Sequence, residues 1–194
     1  MKNETVTIAV LALALGLQSG CASVTGAEDS QPLKPVASLD VPRYLGTWYE
    51  IAKYPNRFQK HCASDTRADY SLLDDGRLQV INRCVKADGS LSEAVGVARQ
   101  IGSSDSPILK VRFAPAWLAF VPMVWGSYWV IDLDPQYQLA AVSEPKRKYL
   151  WVLSRTPEVD AEAYLQLLNR LEAGGFDLAR LERSPQGGEG RTRR

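Results

Sequence analysis

The most informative segment of the chain reads Tyr44-Leu45-Gly46-Thr47-Trp48-Tyr49-Glu50-Ile51-Ala52. Aromatic and β-branched residues dominate it, and such residues are enriched in half-buried strands. Glu50 is the only charged residue in the segment. We therefore predict a strand over residues 47–54, which begins directly after a glycine.

Seven further segments of the same kind follow along the chain. We predict strands over residues 66–73, 78–85, 92–101, 108–113, 127–133, 138–143 and 150–154. The separating residues are turn formers such as Asp74-Asp75-Gly76 and Asp134-Pro135. Connections this short favour antiparallel neighbours, because parallel strands need long crossovers. The pattern predicts an all-β fold, an eight-stranded antiparallel up-and-down barrel, with a two-sheet sandwich as the alternative.

A helix is predicted after the last strand, over residues 157–173. Tyr164, Leu167, Leu168 and Leu171 have the spacing of one buried helical stripe, and Gly174-Gly175 can end the helix. We expect this stripe to pack against the outside of the barrel. Residues 176–181 are a candidate for a short final strand.

The beginning of the chain has the layout of a secretory signal, with an apolar run over residues 6–17. Ser19-Gly20-Cys21 resembles the end of a bacterial lipobox, in which the cysteine carries lipid, and Ala22 resembles the outer-membrane sorting pattern. Gln18 departs from the leucine that is usual at its position. An ordinary secretory signal with a chance cysteine is the alternative.

These features divide the chain into four parts. We predict a lipoprotein signal peptide over 1–20, a tether over 21–40, the barrel domain over 41–182 and a disordered tail over 183–194. The tether and tail are rich in Gly, Ser, Pro or charged residues. The expected location is the bacterial outer membrane, with Cys21 as the lipid anchor.

The two remaining cysteines, Cys62 and Cys84, are predicted to form a disulfide, because an exported chain enters an oxidising space. Two free buried thiols are the alternative. Neither cysteine belongs to a Cys-x-x-Cys pair, and His61 is the single histidine of the chain. We therefore predict no metal site.

Composition argues against catalysis and against nucleic-acid binding. The chain has 23 basic and 22 acidic residues, which provides no dominant basic surface for phosphates. It has no Gly-x-Ser-x-Gly motif and no histidine placed to activate a serine or cysteine. We predict a protein that is not an enzyme, with no catalytic residues, no cofactor and no nucleic-acid partner.

Three blocks of the chain resemble the conserved segments of the lipocalins. Gly46-Thr47-Trp48-Tyr49 resembles the Gly-x-Trp signature of that family. Residues 132–137 fall at the turn after the sixth strand, and residues 149–157 resemble the third block with its arginine. Residues 44–52 are similar to the bacterial outer-membrane lipoprotein and apolipoprotein D-like group. The resemblance covers about residues 40–182.

The resemblance implies a barrel end closed by Gly46, Trp48 and Arg155, in which a guanidinium stacks on an indole and has a structural role. Strand alternation from Trp48 also places Glu50 inside. Both faces of the sixth strand are apolar, so the orientation of Tyr128 and Trp129 stays open. The predicted ligand-contacting residues are Ala52, Tyr54, Phe58, Tyr70, Val80, Phe113, Trp125, Tyr128, Trp129, Trp151 and Leu153.

The connection over residues 114–126 is too apolar for an ordinary solvent-exposed loop. It shares the open end of the barrel with basic residues, among them Lys60 and Lys146-Arg147-Lys148. Tryptophan and aliphatic groups beside lysines suit a membrane surface. A lid folded inward over the barrel is the alternative.

The resemblance implies binding without covalent chemistry. We expect a lipoprotein that holds a fatty acid or a lysophospholipid in a barrel calyx, for storage, transport or maintenance of membrane lipids. One alternative is a tetrapyrrole or retinoid-like ligand. The other is a passive envelope protein whose barrel is filled by its own side chains.

Overall fold

The computed structural model describes residues 31–187. Four predicted features lie wholly or partly outside the described residues. They are the signal peptide, the lipid anchor at Cys21, the first part of the tether and the last residues of the tail. No helix within residues 31–187 is both long and apolar enough to span a membrane.

Eight antiparallel strands form the body of the protein, and each pairs with the next along the chain. Because β1 pairs with both β8 and β2, the sheet closes into a barrel. The prediction of an eight-stranded antiparallel up-and-down barrel is therefore confirmed. The strands are β1 (Gly46–Lys53), β2 (Cys62–Leu72), β3 (Leu78–Lys86), β4 (Leu91–Gln100), β5 (Ile108–Arg112), β6 (Gly126–Leu133), β7 (Leu139–Ser143) and β8 (Leu150–Ser154).

Two α-helices flank the barrel. The short α1 (Val41–Tyr44) precedes β1, and α2 (Ala161–Ala173) follows β8. The carboxylate of Asp160 caps α2 by accepting a hydrogen bond from the Ala163 amide at 2.8 Å. The helix thus begins four residues later than expected, because the preceding residues include Pro157 and the capping aspartate.

The buried residues form two layers, one inside the barrel and one between the barrel and α2. Trp48, Val142 and Leu153 belong to the inner layer. Leu150 and Val152 belong to the outer layer, where they pack with Leu167, Leu171 and other residues. The predicted packing of α2 against the outside of the barrel is confirmed.

A β-bulge at Ile51 reverses the alternation along β1. Glu50 pairs with the inward-facing Leu153, whereas Ala52 pairs with the outward-facing Val152. Ala52 and Tyr54 are therefore in the outer layer, and the Tyr54 hydroxyl donates to the Asp177 carbonyl at 3.0 Å. The prediction that these two side chains contact an interior ligand is wrong.

The chain after α2 does not form the strand expected over residues 176–181. The carboxylate of Asp177 instead caps a 3₁₀ turn at Leu178–Arg180, and the strand β9 (Glu182–Arg183) follows. β9 pairs with the end of β1, at Ala52 and Lys53. The expected short strand thus lies beyond residue 181.

Residues 182–186, which we call the C-terminal strap, lie between β1 and β2 at the open end of the barrel. The Ser184 amide donates to the Ile51 carbonyl at 2.9 Å, and the Asp65 amide donates to the Pro185 carbonyl at 2.8 Å. The side-chain amide of the buried Gln186 donates to the main-chain carbonyls of Glu50 and Thr66, at 2.8 and 2.9 Å. The predicted start of a disordered tail at residue 183 is therefore wrong, since the strap bridges a gap in the barrel wall.

The folded region also begins earlier than predicted. The Val36 amide donates to the Val130 carbonyl at 2.9 Å, and the Leu39 amide donates to the Asp105 carbonyl at 2.7 Å. Leu39 is fully buried in the inner layer. The predicted tether is thus wrong for residues 36–40, because these apolar side chains cover the closed end of the barrel.

Candidate functional site

Trp48 and Arg155 close one end of the barrel. Trp48 is fully buried, and its indole N–H donates to the Tyr44 carbonyl at 2.9 Å. The guanidinium carbon of Arg155 lies 4.0 Å from the centroid of the Trp48 ring. Arg155 also donates hydrogen bonds to four main-chain carbonyls, those of Arg43, Leu45, Thr47 and Tyr137. One side chain thereby ties α1, β1 and the β6–β7 turn together.

Gly46 lets Arg155 lie against the start of β1. Its φ of +93° is a conformation that other residues rarely adopt, and a Cβ atom there would lie 3.4 Å from a guanidinium nitrogen of Arg155. The backbone conformation and the close approach of Arg155 thus explain why a glycine occupies this position of the signature segment.

Three tyrosine hydroxyls meet above this closed end. The Tyr128 hydroxyl lies 2.8 Å from that of Tyr44 and 2.9 Å from that of Tyr70. Burial raises the pKa of Tyr70 to about 12 and raises the pKa of Tyr44 and Tyr128 well above the ordinary value. All three are therefore uncharged near neutral pH. We call this group the tyrosine floor.

The register of β6 determines which of its aromatic side chains faces inward. Tyr128 pairs with the buried Leu109, whereas its neighbour Trp129 pairs with Ile108. Tyr128 therefore faces the interior and Trp129 faces outward, so the predicted interior contact of Trp129 is wrong. The sequence left this choice open because both residues are large and apolar.

Trp125 also lies outside the barrel. Its ring centroid is 4.6 Å from the Arg99 guanidinium and 5.3 Å from that of Arg112. Arg99 alternates with Ala98 of the inner layer and therefore faces outward. The predicted ligand contact of Trp125 is wrong. Its indole N–H instead donates to the Ala119 carbonyl at 2.8 Å and so holds the loop over residues 114–126.

The interior wall is largely apolar. Alternation from Val111 places Phe113 on the interior side, where a Cβ atom at Gly96 would be 2.7 Å from its ring. Five other side chains from the predicted set also face the interior, and they come from four different strands. They are Tyr70, Val80, Tyr128, Trp151 and Leu153.

Part of this interior wall is exposed. Asn82 follows the alternation of Leu78 and Val80, which belong to the inner layer, and it pairs with Ala94 of β4. Both Asn82 and Ala94 are nevertheless exposed. The side chains of residues 31–187 therefore leave space on the interior side of β3 and β4.

A polar cluster surrounds Glu50 nearer the open end. Glu50 is 2% exposed. Its carboxylate accepts hydrogen bonds from the Ser184 hydroxyl at 2.5 Å and from the side-chain amide of Gln59. Lys53 lies 3.9 Å from Glu50 and 4.0 Å from Glu182. Burial raises the pKa of Glu50, and the two hydrogen bonds and Lys53 oppose that shift. The carboxylate that sequence alternation placed inside thus has partners.

The same cluster positions Trp151. Its indole N–H donates to the side-chain oxygen of Gln59 at 2.9 Å, and its ring stacks on Tyr149 with centroids 5.7 Å apart. Phe58 packs on Tyr149 at 5.6 Å but is 54% exposed. Phe58 therefore lies at the rim, whereas Trp151 belongs to the inner wall.

The loop between β5 and β6 turns its large apolar side chains to solvent. It forms two 3₁₀ turns, and Trp117, Phe120 and Met123 are 72%, 79% and 94% exposed. Arg112 fixes its first part by donating to the carbonyls of Ala114 and Pro115. We call residues 114–126 the apolar loop. The alternative of a lid folded inward does not fit these exposures.

Cys62 and Cys84 form the predicted disulfide, which joins the beginning of β2 to the end of β3. His61 lies beside it, and its Nε2 atom is 2.9 Å from the Ser92 hydroxyl. Because both sulfur atoms are used in the disulfide, this group does not offer thiolate ligands to a metal.

Comparisons with known proteins agree with this geometry. Residues 39–186 match the family described as Lipocalin-like domain. The chain is 42% identical over 146 residues to outer membrane lipoprotein Blc of Escherichia coli strain K12, which covers 75% of this chain and 78% of the relative. It is 41% identical over 160 residues to temperature-induced lipocalin-1 of Arabidopsis thaliana, covering 81% and 85%. It is 30% identical over 162 residues to apolipoprotein D of Mus musculus, covering 80% and 82%.

Solved structures resemble the barrel at lower sequence identity. The cockroach allergen Per a 4 aligns with a TM-score of 0.61 and 18% identity, covering 83% of this chain and 98% of the allergen. Insecticyanin from the tobacco hornworm Manduca sexta aligns with a TM-score of 0.59 and 19% identity, covering 78% and 83%. These likenesses concern the fold alone.

Proposed function

Because the chain belongs to the lipocalin family, whose members bind small hydrophobic ligands, we propose that its barrel holds a fatty acid or a lysophospholipid. The protein would store or carry such lipids, or maintain those of a membrane. The observation that carries the proposal is the partly exposed interior wall at Asn82 and Ala94, in a barrel whose interior is largely apolar and whose other end is closed. A barrel filled by its own side chains would not leave these residues exposed.

An acyl chain suits this interior energetically. Each buried methylene contributes about 0.8 kcal/mol, so ten of them give roughly 8 kcal/mol before the cost of ordering the ligand. Lys53 faces the interior, but it is shared between Glu50 and Glu182. A ligand carboxylate would therefore gain little from Lys53, and we expect affinity to depend mainly on the acyl chain.

The proposal places the protein at the bacterial outer membrane, anchored through Cys21 after removal of residues 1–20. Support comes from Ser19-Gly20-Cys21 and from relatives named outer membrane lipoprotein Blc. The proposed activity is binding without catalysis. It requires no metal and no cofactor.

Blocking the interior tests the proposed ligand site. In the full-length chain carrying Cys21→Ser, which removes the proposed lipid attachment, Ala94→Trp adds an indole to the exposed part of the inner wall. We expect hexadecanoic acid and a lysophospholipid to bind this variant at least about tenfold more weakly, a loss of about 1.4 kcal/mol. Displacement of a fluorescent apolar probe measures both affinities.

Val95→Trp is the matched control for this experiment, because Val95 is the next residue of β4, faces outward and is 51% exposed. We expect its affinity to stay within about twofold of the parent. A folded Ala94→Trp variant with unchanged affinity would contradict the proposed site. Visible absorbance of the purified protein would instead favour a tetrapyrrole or retinoid-like ligand.

The apolar loop is the second part of the proposal, as the surface that meets the membrane. Trp117 and Phe120 are exposed there, at the same end of the barrel as the exposed Lys60, Lys146 and Lys148. Aromatic side chains are favourable at the membrane interface, and lysines attract anionic lipid. Contact through this end would bring the open mouth to the lipid.

We predict that Trp117→Ser with Phe120→Ser weakens binding to vesicles of phosphatidylglycerol by at least about tenfold, because two aromatic rings that would enter the lipid surface are lost. Sedimentation of the Cys21→Ser protein with vesicles measures the effect without the lipid anchor. Leu165→Ser on α2 is the control, since Leu165 is 58% exposed and belongs to a helix that packs on the outside of the barrel. Equal vesicle binding by the double variant and the parent would reject the membrane role.

A further inference from the structure

We propose that the tyrosine floor binds an uncharged oxygen atom, a hydroxyl or a carbonyl, at the end of the ligand that enters the barrel first. This inference rests on the proposed function, because it assumes that an apolar ligand occupies the barrel. It adds a chemical preference at the deep end of the site.

A count of protons supports a free donor on the floor. Tyr44, Tyr70 and Tyr128 bring three hydroxyl protons, but the hydroxyls make only two contacts with one another, both through Tyr128. Whichever way the two hydrogen bonds run, one O–H group has no acceptor in the cluster. No other partner for these hydroxyls lies within residues 31–187. A buried donor without an acceptor is unfavourable, so an acceptor on the ligand would stabilise the complex.

The floor lies where the end of a ligand would arrive. Tyr44 packs on Trp48 with ring centroids 4.8 Å apart, so the closed end of the barrel is directly behind the cluster. Tyr44 and Tyr70 are buried, whereas Tyr128 is only half-buried. Tyr128 is therefore the member that a ligand would reach, and its proton is free for the ligand when Tyr44 and Tyr70 both donate to it. The inner layer beside it is apolar, with Leu109 and Val130.

The charge of the surroundings favours a neutral oxygen over a carboxylate. The three tyrosines remain protonated and can donate, but none supplies a positive charge. The guanidinium of Arg155 contacts this end of the barrel, but it stacks on Trp48 and donates to four carbonyls. A carboxylate on the floor would be buried without a direct ion pair, which is costly. A hydroxyl or carbonyl would not carry that cost.

Matched acids test the inference in the full-length Cys21→Ser protein. Fatty acids from decanoic to octadecanoic acid are compared with the ω-hydroxy acids of the same length, by displacement of a fluorescent apolar probe. A purely apolar floor would disfavour the added hydroxyl by at least about tenfold, because it would be buried without a partner. We expect instead that, at one or more lengths, the hydroxy acid binds at least as tightly as its parent.

Tyr128→Phe distinguishes the loss of a hydrogen bond on the tyrosine floor from a general disturbance of the barrel. We expect this variant to bind the hydroxy acid of the preferred length about tenfold more weakly, while the parent acid changes by less than about twofold. Tyr164→Phe on α2 is the control and should change neither affinity. Thermal unfolding of each variant verifies that it is folded.

Two results would overturn the inference. One is that, at every chain length, the hydroxy acid binds the Cys21→Ser protein more weakly than the fatty acid of the same length does. The other is an equal loss for both acids in folded Tyr128→Phe. If neither kind of acid nor a lysophospholipid displaces the probe, the proposed function itself is wrong and the inference falls with it.

Discussion

Replacing Trp48 by Ala is expected to lower the free energy of unfolding by about 3 to 5 kcal/mol. Trp48 is fully buried, packs on Tyr44 and lies under the Arg155 guanidinium. Its removal leaves a cavity at the closed end and takes away the indole N–H that donates to the Tyr44 carbonyl. Urea unfolding followed by circular dichroism measures the change.

Trp117→Ala provides the control for this prediction. It makes the same substitution at a tryptophan that is 72% exposed, so its effect should stay within about 0.5 kcal/mol. A Trp48→Ala protein as stable as the Trp117→Ala protein would contradict the role of Trp48 as the core of the closed end.

Loss of the disulfide is expected to have the next largest effect, about 3 kcal/mol for a bond that joins residues 22 apart in sequence. The paired substitution Cys62→Ala with Cys84→Ala removes it without leaving a free thiol. The bond fastens the beginning of β2 to β3, beside the connection that carries Gln59. Urea unfolding of the Cys21→Ser protein and of this variant measures the difference.

Reduction supplies an independent comparison. A reducing agent should destabilise the Cys21→Ser protein to about the level of the double variant and should leave the double variant unchanged. Two titratable thiols in the folded, unreduced Cys21→Ser protein would show that the bond is absent in solution.

Strand number and order were predictable from the sequence because turn formers such as Asp74-Asp75-Gly76 separate the strands clearly. The orientation of β8 was also predictable, since Trp151 and Leu153 alternate without interruption with Val152. Where a strand is regular and its ends are marked, period-two alternation is sufficient to assign its faces.

The errors at Ala52 and Tyr54 have one cause, the bulge at Ile51. Alternation was counted from Trp48 through Glu50 to Ala52 and Tyr54, and nothing in that count indicates an inserted residue. Only the pairing with β8 reveals that one residue is inserted. The orientation of every later side chain in the strand then changes.

The remaining differences lie in segments that have no strand periodicity. Trp125 belongs to a loop, and its position depends on the two arginines that it contacts. The C-terminal strap is polar in composition, so its burial could not be inferred from hydrophobicity. Tyr44 was missed as a floor residue because it precedes the strand, although it lies only four residues before Trp48.

The position of the strap has a consequence for biosynthesis. β1 and β2 are among the first strands to emerge from the ribosome, yet the C-terminal strap makes the hydrogen bonds that bridge them at the mouth. A nascent chain in which the strap has not yet been made lacks that bridge, and a gap remains in its barrel wall. The wall at the mouth is therefore completed only after the strap, which follows all eight strands in sequence, has been made.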